Sequence, residues 1–425
     1  MFGQALCKST RPICIYEYTT KQMVRELEEK FILHWNYRGF TKLPEVVKNY
    51  GTHIQEIYLK WNRLCSLPCW IGELSNITNL YLHGNQIETL PDEIGEMTQL
   101  NTLDLGHNKL KSLPRQIGRL ENLQTLILNK NLLRILPYEI SQLKNLETLS
   151  VCGNQLIALP EWLGSLPCLE ELIADRNGLT ELPNRLTFAA RLSTISVCSN
   201  RLQYLPLNGF LSAPYIQFDC NPIINYLSVP VSYQLSRRIQ YFRDARDIPA
   251  YRCSIGPVHD EDNCGKEFKL NIQLKVEMPD ETVQKISIIK LPRQLVTVHD
   301  ITENYVPSLW ELALRQIYCT RFKHTLEVNH STQDVIVNRI KQNLQSKSKS
   351  SEVIGYMQNL LNNGPASICL SNNCQQPIFT EAWIIVNSNT WTNFLQLSVF
   401  CSKKCLREFT ELTDVLATNR PWCIV

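Results

Sequence analysis

Four cysteines near the end of the chain have the spacing of metal ligands. Cys369 and Cys374 are separated by four residues, Cys401 and Cys405 by three, and 26 residues lie between the two pairs. Four thiolates can surround one tetrahedral zinc ion at about 2.3 Å each. We therefore predict a zinc site, with four free cysteines as the alternative. Because cysteine fills every ligand position and leaves none for water, the zinc would be structural.

The residues between the two pairs indicate the elements that would hold them. Residues 378–400 have the pattern of a strand pair that turns at 387–389, and a helix is predicted after Ser402, its N-cap. Cysteines four apart at a helix entry share one face, and the helix N-terminus stabilises thiolate. A knuckle, a hairpin and a helix in this order are typical of treble-clef zinc modules. Cys253 and Cys264 are less regularly placed, and a second metal site there is left open.

A helix with an apolar ridge is predicted for residues 308–322. Ser308 and Glu311 form the pattern of a capping box, in which Ser308 bonds forward and Glu311 reaches back. One side of the helix would present four side chains at spacings of three, four and eight residues: Leu309, Leu312, Ala313 and Ile317. Such a ridge fits the groove of a partner protein, and it fits packing on its own domain equally well.

A repeat of 23 residues organises the first half of the chain. Seven segments follow Leu-x-x-Leu-x-Leu-x-x-Asn-x-Leu-x-x-Leu-Pro, with asparagines at Asn62, Asn85, Asn108, Asn131, Asn154, Asn177 and Asn200. This is the leucine-rich repeat pattern. Each repeat would supply one strand with leucines pointing inward, and its asparagine would bond the buried backbone of the following turn. With a degenerate repeat at 33–44 and a shortened one at 216–222, we predict nine strands and a sheet about 40 Å across.

The outward side chains of the repeat strands are predicted to bind a target protein, because they stand on a rigid sheet and the core does not need them. Aromatic and arginine side chains are common anchors of protein interfaces. The candidates are Tyr58, Trp61, Tyr81, His83, Asp104, His107, Ile127, Lys130, Asp175 and Arg176. His83 and His107 lie one repeat apart but differ by one position within it, which disfavours a metal site there.

Composition restricts the class of protein. The net charge of +3 is too small to indicate a nucleic-acid partner, and no run of 18 apolar residues predicts a membrane span. The start of the chain lacks the layout of a secretion signal, so we expect the cytoplasm, with the nucleus as a further location. The sequence contains no Gly-x-Ser-x-Gly, phosphate-binding glycine loop or His-Glu-x-x-His, and we expect no enzymatic activity.

These patterns divide the chain into successive parts. We predict an α/β fold: a leucine-rich repeat solenoid followed by a small α+β C-terminal domain with a treble-clef-like zinc module. The predicted parts are a helical cap at 1–32, the solenoid at 33–228, a capping helix at 229–250, strands and the Ser308 helix at 251–340, a flexible polar linker at 341–352 and the zinc module at 353–425. Within them, single helices are expected at 20–31 and 231–246.

The Ser308 helix resembles the elongin-binding box of cullin–RING ubiquitin ligase receptors. Ser308-Leu309-x-x-x-Ala313-x-x-x-Ile317 follows that box, with alanine at a position that usually holds cysteine. The resemblance implies that Leu309 enters a pocket on elongin C. A cullin-selecting box usually follows, and Val353-Ile354-x-x-Met357-x-x-x-Leu361 matches it except that Ile354 replaces a proline.

From about residue 33 to 412 the chain resembles a family of leucine-rich repeat-containing proteins that join such repeats to a Leu-x-Glu-Leu-Ala helix and a cysteine-paired module. The segments that carry the resemblance are 36–38, 308–313, 376–379 and 401–405. It implies a substrate receptor whose repeats bind a target and whose helix binds elongin B/C and, through it, a cullin. The alternative is a cytosolic scaffold that assembles a small GTPase or a phosphatase without ubiquitin.

Overall fold

The computed structural model describes most of the chain. The described residues are 20–212, 214–238, 252–255, 273–278, 285–299, 305–321, 348–371, 374–388 and 395–416. Within these ranges, no helix is both long enough and apolar enough to cross a membrane.

Nine short parallel strands stack in chain order into one sheet. They are β1 Ile32–His34, β2 Glu56–Tyr58, β3 Asn79–Tyr81, β4 Thr102–Asp104, β5 Thr125–Ile127, β6 Thr148–Ser150, β7 Glu171–Ile173, β8 Thr194–Ser196 and β9 Tyr215–Gln217. The register pairs equivalent repeat positions, so that Leu80 lies beside Leu103 and Leu103 beside Leu126. The predicted solenoid of nine strands is confirmed.

Six 3-10 turns return the chain on the far side of the core. They span Cys69–Glu73, Asp92–Glu96, Arg115–Arg119, Tyr138–Gln142, Glu161–Ser165 and Asn184–Phe188. Each turn follows the repeat proline, whose ring fixes φ near the value that the turn requires. The third residue of each turn is buried, as Ile117 is in the third turn.

The seven repeat asparagines form the predicted interior row. Asn108 illustrates their bonding: its amide nitrogen donates to the carbonyls of Leu82 and Leu105 at 3.0 Å, and its oxygen accepts the N–H of Ile87 at 3.0 Å. Each asparagine thereby joins its own turn to that of the preceding repeat. All seven are buried except Asn177, which is half-buried.

Helices close both ends of the repeat core. At the start, α1 Thr20–Glu29 buries Met23 and Leu27 in this core, and α2 Val46–Tyr50 follows the first repeat. At the other end, α3 Val229–Arg238 buries Val231. Both terminal helices were expected; residues 239–246 of the second lie outside the described part.

The C-terminal sheet is continuous with the end of the solenoid. Its strand order is β10-β18-β17-β14, from β10 Tyr226–Ser228, β14 Thr297–Val298, β17 Glu381–Ser388 and β18 Leu395–Phe400. Because β10 pairs in parallel with β18, residues assigned to the solenoid from sequence form an edge strand of the C-terminal domain. Tyr204, Leu207 and Tyr226 accordingly share a core with this domain.

Two smaller sheets and three helices complete the described structure. The sheets contain β11 Arg252–Ile255, β12 Gln273–Met278 and β13 Lys285–Lys290, and β15 Ser367–Ile368 with β16 Pro377–Ile378. The helices are α4 Leu309–Arg321, α5 Ser348–Asn363 and α6 Lys403–Leu416. The linker predicted for 341–352 is wrong over its last five residues, because α5 begins at Ser348 and its later turns pack against α4. Residues 341–347 lie outside the described part.

Candidate functional site

The four predicted cysteines meet at one point. Their Sγ atoms all lie within 4.8 Å of one another. The Sγ atom of Cys401 is 3.4 Å from that of Cys374 and 3.7 Å from that of Cys405. Cys369, Cys401 and Cys405 are buried, and Cys374 is half-buried.

Strand ends and a helix entry bring these cysteines together. The N–H of Cys369, which follows β15, bonds the carbonyl of Gln376, and the N–H of Cys374 bonds that of Ser371 at 3.1 Å. These two bonds close the knuckle between β15 and β16. Cys401 follows β18, and the N–H of Cys405 donates to the hydroxyl of Ser402 at 3.3 Å. The predicted N-cap of α6 is therefore confirmed.

The arrangement suits a metal ion and not a pair of disulfides. Tetrahedral bonds of about 2.3 Å place sulfur atoms about 3.8 Å apart, whereas bonded sulfurs are about 2 Å apart. The Cys401 thiol, and then its N–H, donate hydrogen bonds to Cys369, and they lower the pKa of Cys369 to about 6. Burial raises the pKa of the neighbouring Cys374. These four residues could bind one metal ion.

The two cysteines considered for a second metal site have side chains outside the described part of the structure. Cys253 lies in β11, but its side chain is outside the described part, as is Cys264. Among the described residues, the cysteine centre is the one group of three or more potential ligands.

A buried ion pair joins α4 to the cysteine centre. Glu311 is fully buried, and its carboxylate accepts the N–H groups of Phe379 and Thr380 at 2.9 and 2.7 Å. It also pairs with Nε of Arg315 at 2.8 Å. The guanidinium of Arg315 donates in turn to the carbonyl of Cys401. One face of the helix is thereby fastened to the module that contains the cysteines.

The predicted capping box is half right. Ser308 bonds forward, since its hydroxyl accepts the N–H of Glu311 at 3.2 Å. The second bond of the box was expected between Glu311 and the N–H of Ser308. In the structure this N–H donates instead to Glu381, a carboxylate distant in sequence, at 3.0 Å, and Glu381 also bonds His299. Burial alone would raise the pKa of Glu381, but the bonds from Ser308 and His299 outweigh it, and the pKa is lowered.

The outer face of α4 is apolar and accessible. Leu309 is 85% exposed and Leu312 is 39% exposed, and Ala313 is exposed as well. Ile317 is half-buried and packs against a small core formed with α5. The helix thus packs on its own domain through one face while it leaves most of the predicted ridge free. In the segment that resembles a cullin box, Met357 and Leu361 belong to the same small core.

Aromatic side chains line the strand face of the first repeats. Tyr58 and Tyr81 stack with ring centroids 4.4 Å apart, and Nζ of Lys60 lies 4.5 Å from the Tyr81 centroid. Trp61 is half-exposed, and its ring is 5.2 Å from that of His83 and 5.7 Å from that of His107. These aromatic side chains form one contiguous surface on the strand face.

The predicted residues on this face differ in their accessibility. Lys130 and Arg176 are exposed, whereas Asp104 is buried and accepts the N–H of Gly106 at 3.0 Å. The carboxylate of Asp175 likewise accepts hydrogen bonds from the hydroxyl of Ser196 and the N–H of Cys198. Both carboxylates thus support the turns. Burial, followed by Lys130, lowers the pKa of His107 below that of a free histidine.

Family comparisons agree with the repeat architecture. Residues 92–192 match the model of the leucine-rich repeat region, and residues 76–97 match that of a single leucine-rich repeat. Residues 76–192 therefore contain leucine-rich repeats. No curated protein matches it.

Several solved structures match part of this chain in sequence. A leucine-rich repeat protein of Leptospira interrogans is 30% identical over 44% of this chain, with a TM-score of 0.41; the match spans 54% of that protein, about half its length. The ectodomain of the plant membrane receptor kinase GASSHO1/SCHENGEN3 from Arabidopsis thaliana is 25% identical over 45% of this chain and 27% of its own, with a TM-score of 0.37. The leucine-rich repeat domain of the type III effector XopL is 21% identical to this chain. The match covers 41% of this chain and 72% of that domain, with a TM-score of 0.36.

Sequence analysis missed several residues of the aromatic strand face and of the contacts that hold α4. His34 and Tyr37 extend the aromatic face, with His34 4.7 Å from Tyr58 and Tyr37 stacked on Trp61 at 6.5 Å. Their position in the degenerate first repeat was an available signal. No local pattern marks Glu381, because its partners Ser308 and His299 lie far away in the sequence. The four-residue spacing of Glu311 and Arg315 was an available signal for their ion pair, but the bond from Arg315 to Cys401 had none.

Proposed function

We propose that this leucine-rich repeat protein is a substrate receptor of a cullin–RING ubiquitin ligase and performs no chemistry itself. Its repeat surface would bind the target protein, and α4 would bind elongin C. The observation that carries the proposal is the exposure of Leu309, which is 85% exposed in the first turn of α4. Leu309 stands where the elongin-binding box that it resembles has its pocket-filling leucine.

The packing of α4 supports this role. A helix that binds a groove must present its anchors without first being ordered, because ordering costs binding free energy. Glu311, Arg315 and Leu314 hold the inner face of α4, so that Leu309, Leu312 and Ala313 face outward on a folded helix. The order of repeats, helix and cysteine module also resembles the family that includes leucine-rich repeat-containing proteins 28 and 58.

The joint between the two halves supports a receptor as well. The side-chain amide of Gln294 accepts from Asn184 in the last 3-10 turn and donates to the carbonyl of Gly364 after α5. Asn208 donates to Pro365, and β10 pairs with β18. A joint of this kind holds the target at a set distance from elongin and raises its effective concentration near the charged ubiquitin enzyme.

The remaining parts have supporting roles in this proposal. The cysteine centre would hold one structural zinc ion that braces the C-terminal domain. A cullin would be recruited through elongin B/C. The protein would act in the cytoplasm, with the nucleus as a further location.

Co-purification with elongin B/C tests the proposal. We expect the wild-type protein to recover elongin B and C, and Leu309→Asp to lose them, because a charge cannot enter an apolar pocket. Ile157→Asp is the matched control, since it places the same charge on an exposed aliphatic residue of the repeats. If neither wild type nor variant recovers elongin while both remain folded, the receptor proposal is rejected and the signalling scaffold becomes the better hypothesis.

A further inference from the structure

The two edges of the solenoid carry opposite charge. We define the basic edge as the turns that start at the residue before each repeat asparagine, which are 61–66, 84–89, 107–112, 130–135, 153–158, 176–181 and 199–204. It contains seven basic and two acidic residues, a net charge of +5. The acidic edge runs from each 3-10 turn to the next strand, over 69–79, 92–102, 115–125, 138–148, 161–171 and 184–194. It contains five basic and ten acidic residues, a net charge of −5.

The basic side chains are accessible and aligned. Backbone bonds join the turns of successive repeats, so that the N–H of Leu132 bonds the carbonyl of Leu110 and the N–H of Arg201 bonds that of Leu179. All seven basic side chains are exposed: Arg63, Lys109, Lys111, Lys130, Arg134, Arg176 and Arg201. Within the described part of the chain, none of the seven makes an ion pair. Of the two acids, Glu181 already accepts the hydroxyl of Tyr204.

Large aliphatic side chains lie among these charges. Leu132 is 39%, Ile135 70% and Ile157 69% exposed, and all three belong to two consecutive turns of the basic edge. Over the described residues, the acidic edge exposes no large aliphatic side chain. Exposed aliphatic residues that adjoin unpaired charges are typical of a protein interface with an apolar centre and a polar rim.

We propose that the basic edge binds an acidic segment of a partner protein that also carries aliphatic side chains. Carboxylates of the segment would pair with Lys109, Lys111 and Arg134, and its aliphatic side chains would cover Ile135 and Ile157. A nucleic acid matches the charge but offers nothing to the isoleucines. A second copy of this chain would bring an acidic edge that lacks exposed aliphatic residues. This inference rests on the proposed binding of a protein by the repeats and does not require elongin.

A random peptide library displayed on phage tests the proposal with the full-length protein as bait. We expect the selected peptides to be rich in Asp and Glu together with Leu, Ile or Val. A synthetic copy of a selected peptide should bind about tenfold more weakly to Lys109→Glu/Lys111→Glu/Arg134→Glu, and its affinity for wild type should fall as salt is added. Ile135→Ser/Ile157→Ser should also weaken binding, with an unchanged salt dependence.

The matched control reverses three exposed charges on the opposite edge, Glu121→Lys/Glu147→Lys/Glu170→Lys, and should leave peptide affinity within about twofold of wild type. Three results would overturn the proposal: selected peptides without an acidic excess, tighter binding of a 20-residue oligothymidylate than of the peptide, or self-association that the basic-edge variant abolishes. Elongin recovery separates the two proposals. The Lys109→Glu/Lys111→Glu/Arg134→Glu variant should still recover elongin. If the wild-type protein binds the acidic peptides but does not recover elongin, the receptor proposal fails and the basic-edge proposal stands.

Discussion

The guanidinium of Arg315 donates a hydrogen bond of 3.1 Å to the main-chain carbonyl of Cys401. The first residue lies in the proposed elongin-binding helix, and the second belongs to the cysteine centre. Because Arg315 also pairs with the fully buried Glu311, the helix and the metal ligands share one network of polar contacts. The position of the exposed Leu309 therefore depends on residues that are distant in sequence.

Removing the cation from this network should destabilise the C-terminal domain. Arg315→Met leaves the Glu311 carboxylate buried beside two N–H groups without its counter-charge, and we expect a loss of about 3 kcal/mol in the free energy of unfolding. Chemical denaturation followed by fluorescence measures it. The paired change Arg315→Met/Glu311→Leu should recover part of the loss, because no buried charge remains. Equal stability of wild type and Arg315→Met would show that the ion pair contributes nothing.

Metal removal should loosen α4 and leave the repeats intact. We expect about one equivalent of zinc per chain, and none in Cys401→Ser/Cys405→Ser. Cys65→Ser/Cys69→Ser is the control, since these two cysteines are exposed and far from the centre in sequence. In the metal-free variant, amide hydrogen exchange should quicken in α4 but not in β4–β7. Unchanged metal content in the Cys401/Cys405 variant would contradict the assignment.

The asparagine row should account for much of the stability of the repeats. Asn131 donates to the carbonyls of Leu105 and Leu128 and accepts the N–H of Leu110, all at 2.9–3.0 Å. Asn131→Ala leaves these buried groups unpaired and should cost about 3 kcal/mol of unfolding free energy. The exposed Asn122 makes a single bond to Thr98, so Asn122→Ala should cost less than about 1 kcal/mol. Thermal or urea unfolding measures both variants. Similar losses of unfolding free energy in the two would contradict the stabilising role of the asparagine row.

Glu161 should give the repeats a distinct pH dependence. Burial raises its pKa above the ordinary 4.5, and the N–H groups of Arg185 and Asn184 offset only part of this effect. The folded state therefore favours the protonated carboxyl, and ionisation costs stability as pH rises above 4.5 through the raised pKa. Relative to Glu161→Gln, wild type should lose unfolding free energy between pH 4.5 and 7.

Urea titrations of wild type and Glu161→Gln at several pH values measure this difference. Glu121→Gln removes an exposed carboxylate from the same edge and serves as the control. A difference between wild type and Glu161→Gln that stays constant over the range would show that Glu161 has the same proton affinity in the folded and unfolded states.

The residues of the cysteine centre could be chosen from sequence because their chemistry is local. Two short cysteine spacings placed four thiols, and Ser402 indicated the start of α6. The partner of Ser308 could not be predicted in this way. Glu311 lies at the expected spacing, but it is drawn into the domain by the N–H groups of Phe379 and Thr380, and Glu381 takes its place. A capping pattern identifies the carboxylate that is nearest to Ser308 in sequence, and it cannot identify one that tertiary packing brings close.

By itself, the sequence determined the solenoid, its nine strands and the interior row of asparagines, because each repeat contacts only its neighbours and the 23-residue period sets those contacts. Only the tertiary structure decided how the repeats join the C-terminal domain and which face of α4 remains accessible. Those outcomes depend on β10 pairing with β18 and on Arg315 reaching Cys401. Contacts between residues so far apart depend on the packing of the whole domain, and no period in the chain encodes them.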